Sequence, residues 1–479
     1  MNKQVGSLMG TAKKGGLTVL IFLVLQNGVS FLSQLIMARL IAPDAFGLIA
    51  MAMLIGMFFQ VIFNTQGDKF IIQSKEDSKK ILNVIISFEL TYAIFFMVII
   101  CFSANYITKL LGREDLTFLI QLLTISYIAT PFQKIRAFFE KDLLMFKSKI
   151  SLFISQILGG IIGVVLAIYD FGVYALVIWR IATPVIDALI LLFLIKFNIK
   201  IHFSGSTIKK VYSFTWPLII SGTLIYFIYN IDYYIVGYFE DYKSLGYYWL
   251  AFQVSHYFLT AKTAINSVLF PTFSKLELER DKINLFNKII KITSLLYTLP
   301  ALLFLLYGNY IVSFLYGEKW MPALLPLQIF FIIVAVKAIG SNVGPFFYSL
   351  GKTKQDISIS IINAITLPLI VSILVFWHGI NGAAFGVLIS AGLNAIYGFV
   401  RYVTPLTKKS VFYYYGKTGL LFLLVTLLIF LKKSYLNFDG IIVNIIALFS
   451  VSFIYLLIFK NELKLLKSII NNHILRKNV

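Results

Sequence analysis

The sequence has little charge, almost no cysteine and few histidines. Only 13% of its 479 residues are charged, about half the share typical of soluble proteins, whereas 59% are hydrophobic. The single cysteine, Cys101, excludes an intrachain disulfide and a cysteine-ligated metal cluster. The four histidines show no metal-ligand spacing, and no nucleophile–base pair or phosphate-binding glycine loop is recognisable. We therefore predict a protein that is neither water-soluble nor an enzyme, with no metal and no cofactor.

Long apolar runs occupy most of the chain instead. A bilayer-spanning helix needs about 20 apolar residues, so fourteen of them would use about 280 residues and leave only short loops. Breaks at charged or turn-forming residues separate fourteen predicted transmembrane segments: 17–38, 45–64, 82–104, 116–133, 150–169, 172–195, 215–238, 245–270, 286–307, 322–350, 355–377, 380–400, 413–431 and 440–459.

The basic residues alternate between loops in the way that membrane topology requires. If the N-terminus is cytoplasmic, 32 of the 42 Lys and Arg residues lie in the cytoplasmic loops and terminal regions, and seven lie in the outer loops. The positive-inside rule then predicts that both termini are cytoplasmic. Topology and attraction to anionic lipid explain most of the net charge of +21, so we predict no nucleic-acid partner.

Three short motifs recur in the same order in the two halves of the chain. Residues 42–47 resemble residues 241–246, and their final glycines lie 199 residues apart. Two further motifs, which begin at Leu111 and Asp170, recur 205 and 210 residues later. We therefore predict two six-segment repeats of the same orientation, followed by two further segments. The predicted domains are 1–200, 201–405 and 406–479.

Four stretches also carry a resemblance to a known family: 38–48, 131–133 with 138–147, 171–177, and 230–237 with 245–248. They resemble the polysaccharide-transport flippases, the Wzx-type exporters of lipid-linked oligosaccharides in the multidrug/oligosaccharidyl-lipid/polysaccharide (MOP) superfamily. One departure lies after the second segment, where Gly67 is followed by Asp68 and Lys69 instead of small residues.

The resemblance implies both a fold and a cargo. The implied fold is an all-α integral membrane protein of about fourteen transmembrane helices. Two parallel six-helix bundles in a pseudo-twofold arrangement surround a central cavity, and two helices follow at the C-terminus. The implied activity is export of an undecaprenyl-pyrophosphate-linked glycan across the bacterial inner membrane by alternating access. Membrane lipids are further expected partners, and a polysaccharide polymerase or glycosyltransferases are the candidate protein partners.

Charged side chains inside the apolar segments mark candidate sites, because charge in a bilayer is costly. Arg180, Lys262 and Lys337 each lie on a polar stripe at helical spacing. Because Lys and Arg bind phosphates through charge-assisted contacts, we predict that these three residues neutralise the pyrophosphate. Asp187 and Asp232 are predicted to form a coupling site or an ion pair, with an Arg180–Asp pair that only holds helices together as the structural alternative.

Uncharged residues on these stripes and in neighbouring segments are predicted to line the cavity or contact the glycan: Asn27, Gln34, Ser255, Asn266, Ser341, Tyr226 and Tyr229. The structural alternative for each is hydrogen bonding between helices. The tyrosines belong to a group of nine between 226 and 257, which also fits an aromatic belt at the membrane interface.

Two other functions stay open from the sequence. A cation-coupled multidrug antiporter of the same superfamily would depend on acidic cavity residues, whereas the buried charges here lean basic. A membrane scaffold subunit that transports nothing would tolerate substitutions along the polar stripes.

Overall fold

The computed structural model describes residues 2–110, 112–431 and 441–475, and these ranges contain helices but no β-strand. The α-helices are α1 (Asn2–Leu40), α2 (Pro43–Phe63), α3 (Gly67–Gln73), α4 (Ser78–Leu110), α5 (Thr117–Leu123), α6 (Ile135–Lys141), α7 (Met145–Ile168), α8 (Val173–Leu194), α9 (Gly205–Phe239), α10 (Tyr242–Ser274), α11 (Glu279–Tyr316), α12 (Leu324–Gly340), α13 (Val343–Ser349), α14 (Thr353–Gly398), α15 (Thr404–Thr407), α16 (Val411–Leu431), α17 (Ile441–Ile458) and α18 (Lys460–Leu475). Shorter 3₁₀ segments are Glu114–Leu116, Thr124–Ile128, Thr130–Lys134 and Glu318–Ala323.

Local chemistry fixes several of the helix starts. Pro43 opens α2, where its missing N–H is not needed. The Ser204 hydroxyl caps α9 by accepting a hydrogen bond from the backbone N–H of Thr207. The carboxylate of Asp241 accepts one from the N–H of Ser244 at 2.7 Å and so caps α10.

Eleven helical segments in the described part of the chain are long and apolar enough to cross a bilayer, from Thr18–Leu40 to Val411–Phe430. The chain is therefore a multi-pass membrane protein, as predicted. Helices α10 and α17, of 33 and 18 residues, lie outside this group of eleven. Leu111 and the predicted outer loop at 432–440 lie outside the described residues.

Helix α14 contains a sharp reversal at Gly379, whose φ is +58°. A Cβ atom at Gly382 would lie 1.9 Å from the carbonyl oxygen of Leu374, and one at Gly386 would lie 2.9 Å from Cα of Val371. These contacts run in antiparallel order, so the two arms of α14 form a helical hairpin. The reversal falls between the eleventh and twelfth predicted segments.

The chain divides into two compact units, unit 1 (Met1–Trp249) and unit 2 (Leu250–Val479). In unit 1, one hydrophobic cluster joins α3, α4, α6, α8 and the first turns of α9. In unit 2, one cluster joins α10 to α13 with α16, and another packs α16, α17 and α18 against α11. The three-part division drawn from the sequence stays a prediction.

The predicted repeats share a broken fourth segment. In unit 1 the segment Glu114–Lys141 consists of α5 and α6 with 3₁₀ turns between them. In unit 2 the segment Glu318–Ser349 is interrupted at Ser341 and Asn342, between α12 and α13. A break leaves backbone carbonyls without helical partners, so polar side chains must satisfy them. A polar cluster, described below, lies at each of the two breaks.

The first repeated motif forms a reciprocal contact within unit 1. A Cβ atom on Gly47 would lie 1.7 Å from the backbone oxygen of Tyr242, and one on Gly246 would lie 2.0 Å from the backbone oxygen of Pro43. Pro43 and Tyr242 are 199 residues apart, as are the two glycines. The glycine near the start of α2 thus contacts the first residue of α10, and the glycine near the start of α10 contacts the first residue of α2. A local twofold axis between the two helix starts produces such a reciprocal pair of contacts.

Replacing Gly47 by Ala is expected to destabilise the protein by about 1–3 kcal/mol, because the new methyl group must displace a backbone carbonyl. Gly28, inside α1, is a matched control with nothing within 4 Å of its Cβ position. Because Ala is about 1 kcal/mol better than Gly inside a helix, Gly28→Ala should be neutral or stabilising. Thermal unfolding of the purified protein in detergent measures both. Equal melting temperatures for the two variants would contradict the close contact.

Candidate functional site

Asp187 is buried and forms an ion pair with Arg136. The carboxylate is 1% exposed; its Oδ2 accepts the bond from Arg136, and its Oδ1 has no hydrogen-bond partner in the described part of the chain. Arg136 lies on α6 and Asp187 on α8, so the pair ties these helices together. The ion-pair partner of Asp187 is thus Arg136 and not Arg180. Whether Asp187 is a coupling site or only an ion-pair member stays a prediction.

Arg180 and Asp232 lie elsewhere in unit 1. The guanidinium of Arg180 is half-buried and lies over the ring of Trp179 at 4.8 Å and over that of Trp249 at 5.9 Å. Asp232 is buried and accepts a hydrogen bond from the Tyr248 hydroxyl at 2.8 Å. The rings of Trp179 and Trp249 thus stabilise the positive charge of Arg180 by cation–π contacts.

A second cluster at the broken fourth segment of unit 1 was not predicted. Lys134, 7% exposed, donates to Oδ1 of Asn64 at 2.8 Å and lies 3.3 Å from Asp68 and 3.5 Å from Glu89. The Thr65 hydroxyl also donates to Glu89. The cluster joins the loop after α2 and helix α3 to α4 and the fourth segment. It also explains the departure at Asp68, which serves as a partner for the buried lysine.

Lys262 belongs to the corresponding cluster in unit 2, where the lysine lies on the second segment of the repeat and the asparagine at the break in the fourth. Its side chain is 1% exposed, and its ammonium donates to Oδ1 of Asn342 at 2.6 Å. The amide nitrogen of Asn342 donates to the backbone oxygens of Ala338 and Ile339, in the last turn of α12 before the break. These bonds orient the amide so that its oxygen faces the ammonium. In addition, Thr293 on α11 accepts a bond from Asn342 at 3.4 Å.

The two clusters have the same plan but different charge. Each joins a lysine to an asparagine between the second and fourth segments of its repeat, and the third segment contributes Glu89 in unit 1 but the neutral Thr293 in unit 2. Under the 205-residue offset, Glu89 corresponds to the neighbour of Thr293. Lys134 is therefore neutralised, whereas no carboxylate in the described residues forms a salt bridge with Lys262.

The other predicted residues of unit 2 lie on α10, on α12 and at the break after α12. Asn266 donates to the backbone oxygen of Ser341 at 3.2 Å, so the polar stripes of α10 and α12 meet at the break. Lys337 is half-buried one turn before Ser341. Ser255 is buried and its hydroxyl donates to the backbone oxygen of Phe252. The partial negative charge at the C-terminus of α12 favours cations here.

The predicted glycan contacts in unit 1 lie on α1 and α9. Tyr226 is buried, and its hydroxyl donates to the backbone oxygen of Leu54 at 2.7 Å, which is the interhelical role given as the alternative. Tyr229 is 52% exposed. On α1, Gln34 is buried and Asn27 half-buried. A role for these residues in glycan binding stays a prediction.

Comparison with known proteins decides the family. A sequence model described as "Polysaccharide biosynthesis protein" matches residues 36–325, more than half of the chain. The chain belongs to this family. It is 26% identical over 397 residues to an "Uncharacterized membrane protein in cps region" of Klebsiella pneumoniae, over 79% of each chain. It is 24% identical over 393 residues to the lipopolysaccharide biosynthesis protein WzxC of Escherichia coli, over 80% of this chain and 79% of that protein.

Solved structures show the same fold. The chain is similar to the lipid II flippase MurJ in an inward closed conformation, with a TM-score of 0.73 and 14% identity over 93% of this chain and 97% of that one. It is also similar to an inward-facing MATE transporter of the MOP superfamily, with a TM-score of 0.59 and 14% identity over 80% and 96%. The predicted family and its MOP-type fold are thereby confirmed.

Proposed function

We propose that this polysaccharide biosynthesis protein is a flippase that exports an undecaprenyl-pyrophosphate-linked oligosaccharide across the cytoplasmic membrane by alternating access. The observation that carries the proposal is the buried Lys262, whose described contacts include a neutral amide but no carboxylate. A buried cation without a counter-charge is costly to maintain. An anionic cargo would supply the missing counter-charge for Lys262. The class of cargo is proposed from the family and from the names of the relatives.

The proposed topology has fourteen crossings with both termini cytoplasmic. The eleven apolar segments contribute, α14 counts twice because of its reversal at Gly379, and α10 and α17 complete the number. Twelve crossings form the two repeats and the last two follow them. The reciprocal contact of Gly47 and Gly246 supports this repeat order.

The proposed pyrophosphate site consists of Lys262 and Lys337 in unit 2, and the predicted contribution of Arg180 stays a prediction. Lys262 and Lys337 lie on helices whose polar stripes meet through Asn266 and Ser341. A pyrophosphate carries about two negative charges, and two ammonium groups neutralise them without requiring a metal. Export of such a group from a negative interior is favoured by about 2.3 kcal/mol per charge per 100 mV. The proposed function is transport, with no covalent chemistry by this chain.

The test is the lipid composition of a deletion strain. We expect undecaprenyl-pyrophosphate glycans to accumulate on the cytoplasmic face, and the wild-type gene to reverse this. Mass spectrometry of the extracted lipids identifies the cargo. Unchanged glycolipids together with greater sensitivity to cationic drugs would support a multidrug antiporter instead. If neither changes, the scaffold alternative gains support and the flippase proposal fails.

A further inference from the structure

Glu89 in unit 1 shares one buried ammonium with a second carboxylate. Lys134 lies 3.5 Å from Glu89 and 3.3 Å from Asp68, and it also donates to Asn64. Glu89 is 6% exposed, whereas the Asp68 side chain is 29% exposed and is also paired with Lys69 at 2.9 Å. Lys134 thus keeps an ionised partner even when Glu89 carries no charge.

Glu89 also borders a cavity. The cavity has a volume of about 50 Å³, enough for water. Its polar wall includes Gln60, Asn64, Glu89 and Thr130, and Gln60 is fixed by a hydrogen bond to the Thr130 hydroxyl. Its remaining walls are aromatic and apolar. Water in this cavity can deliver a proton to Glu89 and receive it back.

The other buried acids of the described residues are held differently. Asp187 is paired with Arg136, and an arginine does not deprotonate in proteins. Glu462 receives two bonds, of 2.7 and 2.8 Å, from Lys417, with no second carboxylate in the pair. Asp232 accepts a hydrogen bond from the Tyr248 hydroxyl. None of these three acids lines the cavity beside Glu89. Glu89 therefore combines burial, a shared counter-ion and an adjoining cavity.

We propose that Glu89 is a reversible proton-binding site of unit 1. In the deprotonated state the carboxylate shares Lys134 with Asp68. On protonation, a hydronium ion in the cavity transfers its proton to a carboxylate oxygen of Glu89, leaving water, and Lys134 stays with Asp68 and Asn64. The cluster then gains one positive charge. The site rests on the geometry of unit 1 and not on the proposed cargo.

The charges around Glu89 agree with the proposal that Glu89 binds the proton while Asp68 stays ionised. Burial favours the neutral form of the Asp68 carboxyl, but Lys134 and Lys69 outweigh it and lower the pKa of that group. Asp68 is therefore the partner that stays ionised. The titratable groups that face Glu89 are Lys134, Asp68, Tyr92, Tyr127 and Tyr212.

Infrared difference spectroscopy of the full-length protein in lipid nanodiscs, without substrate, tests the proposal. Between alkaline and acidic pH, the wild type is expected to gain a carboxylic acid C=O band from a buried site. Glu89→Gln should remove this band, and Glu89→Asp should shift its frequency. Glu140→Gln is the matched control, since Glu140 is also paired with a lysine, Lys149, but does not border the cavity.

Two results would overturn the proposal. One is a wild-type spectrum without such a band, which would make Glu89 and Lys134 a permanent ion pair. The other is a band that Glu89→Gln and Glu89→Asp leave unchanged, which would assign the proton to another residue. Both results are independent of glycan export, because no substrate is present.

Discussion

Replacing Lys262 by Gln is expected to lower glycan export at least tenfold while leaving the fold intact. Glutamine is similar in length and can still bond to Asn342, but it carries no charge. A hydrogen bond to a charged group contributes about 1.5–3 kcal/mol, which corresponds to about 10- to 150-fold in binding. The double variant Lys262→Gln/Lys337→Gln removes both ammonium groups of the proposed site and should abolish export.

Whether Lys262→Gln raises or lowers the stability of the protein distinguishes a functional role of Lys262 from a structural one. Because a buried ammonium without a carboxylate partner costs folding free energy, Lys262→Gln should keep or raise the melting temperature. Lys149→Gln serves as the control, since it breaks a pair with Glu140 at 2.8 Å. Such partly exposed pairs contribute at most about 1 kcal/mol, so this control should be slightly less stable and export normally.

The measurements are glycolipid export in the deletion strain and thermal unfolding of the purified variants. Normal export by the double variant would contradict the pyrophosphate site. A clear loss of stability in Lys262→Gln would show that the lysine holds α10 to the break after α12, which is the structural alternative.

Hydropathy and charge pattern predict much of the fold, because the bilayer imposes helices of minimum length and loops of alternating charge. The pattern also separates the two arms of α14 at His378, where the structure reverses at Gly379. It does not reveal that the fourth segments are broken. Polar residues such as Ser341 and Asn342 are too few to divide an apolar run in two, and the break involves tertiary contacts such as that between Lys262 and Asn342.

The candidate site could be predicted in unit 2 but not in unit 1. Lys262 and Lys337 interrupt long apolar runs and so stand out in the sequence. Lys134 and Arg136 instead follow the end of a predicted segment, where positive charge is already explained by topology. The structure extends that segment to Lys141, buries Lys134 and leaves Arg136 half-buried. The sequence signal for them is the group Gln133, Lys134 and Arg136, polar residues that a helix extended past residue 133 includes in the segment.

Replacing Arg136 by Gln is expected to destabilise unit 1 by about 3–5 kcal/mol, the cost of leaving a buried charge unpaired. Asp187 is 1% exposed, and one of its oxygens has no partner among the described residues, so Arg136 is its essential counter-charge. We therefore expect little folded protein in the membrane. The double variant Arg136→Gln/Asp187→Asn removes both charges and should recover most of the stability.

Thermal unfolding and membrane expression of the single and double variants distinguish the two roles predicted for Asp187. If Asp187 serves only as an ion-pair member, the double variant regains both folding and export, because nothing in transport requires the charges. If Asp187 were a coupling site, the double variant would fold but not export. A stable Arg136→Gln single variant would contradict the buried pair itself, since α6 and α8 would then be held together without it.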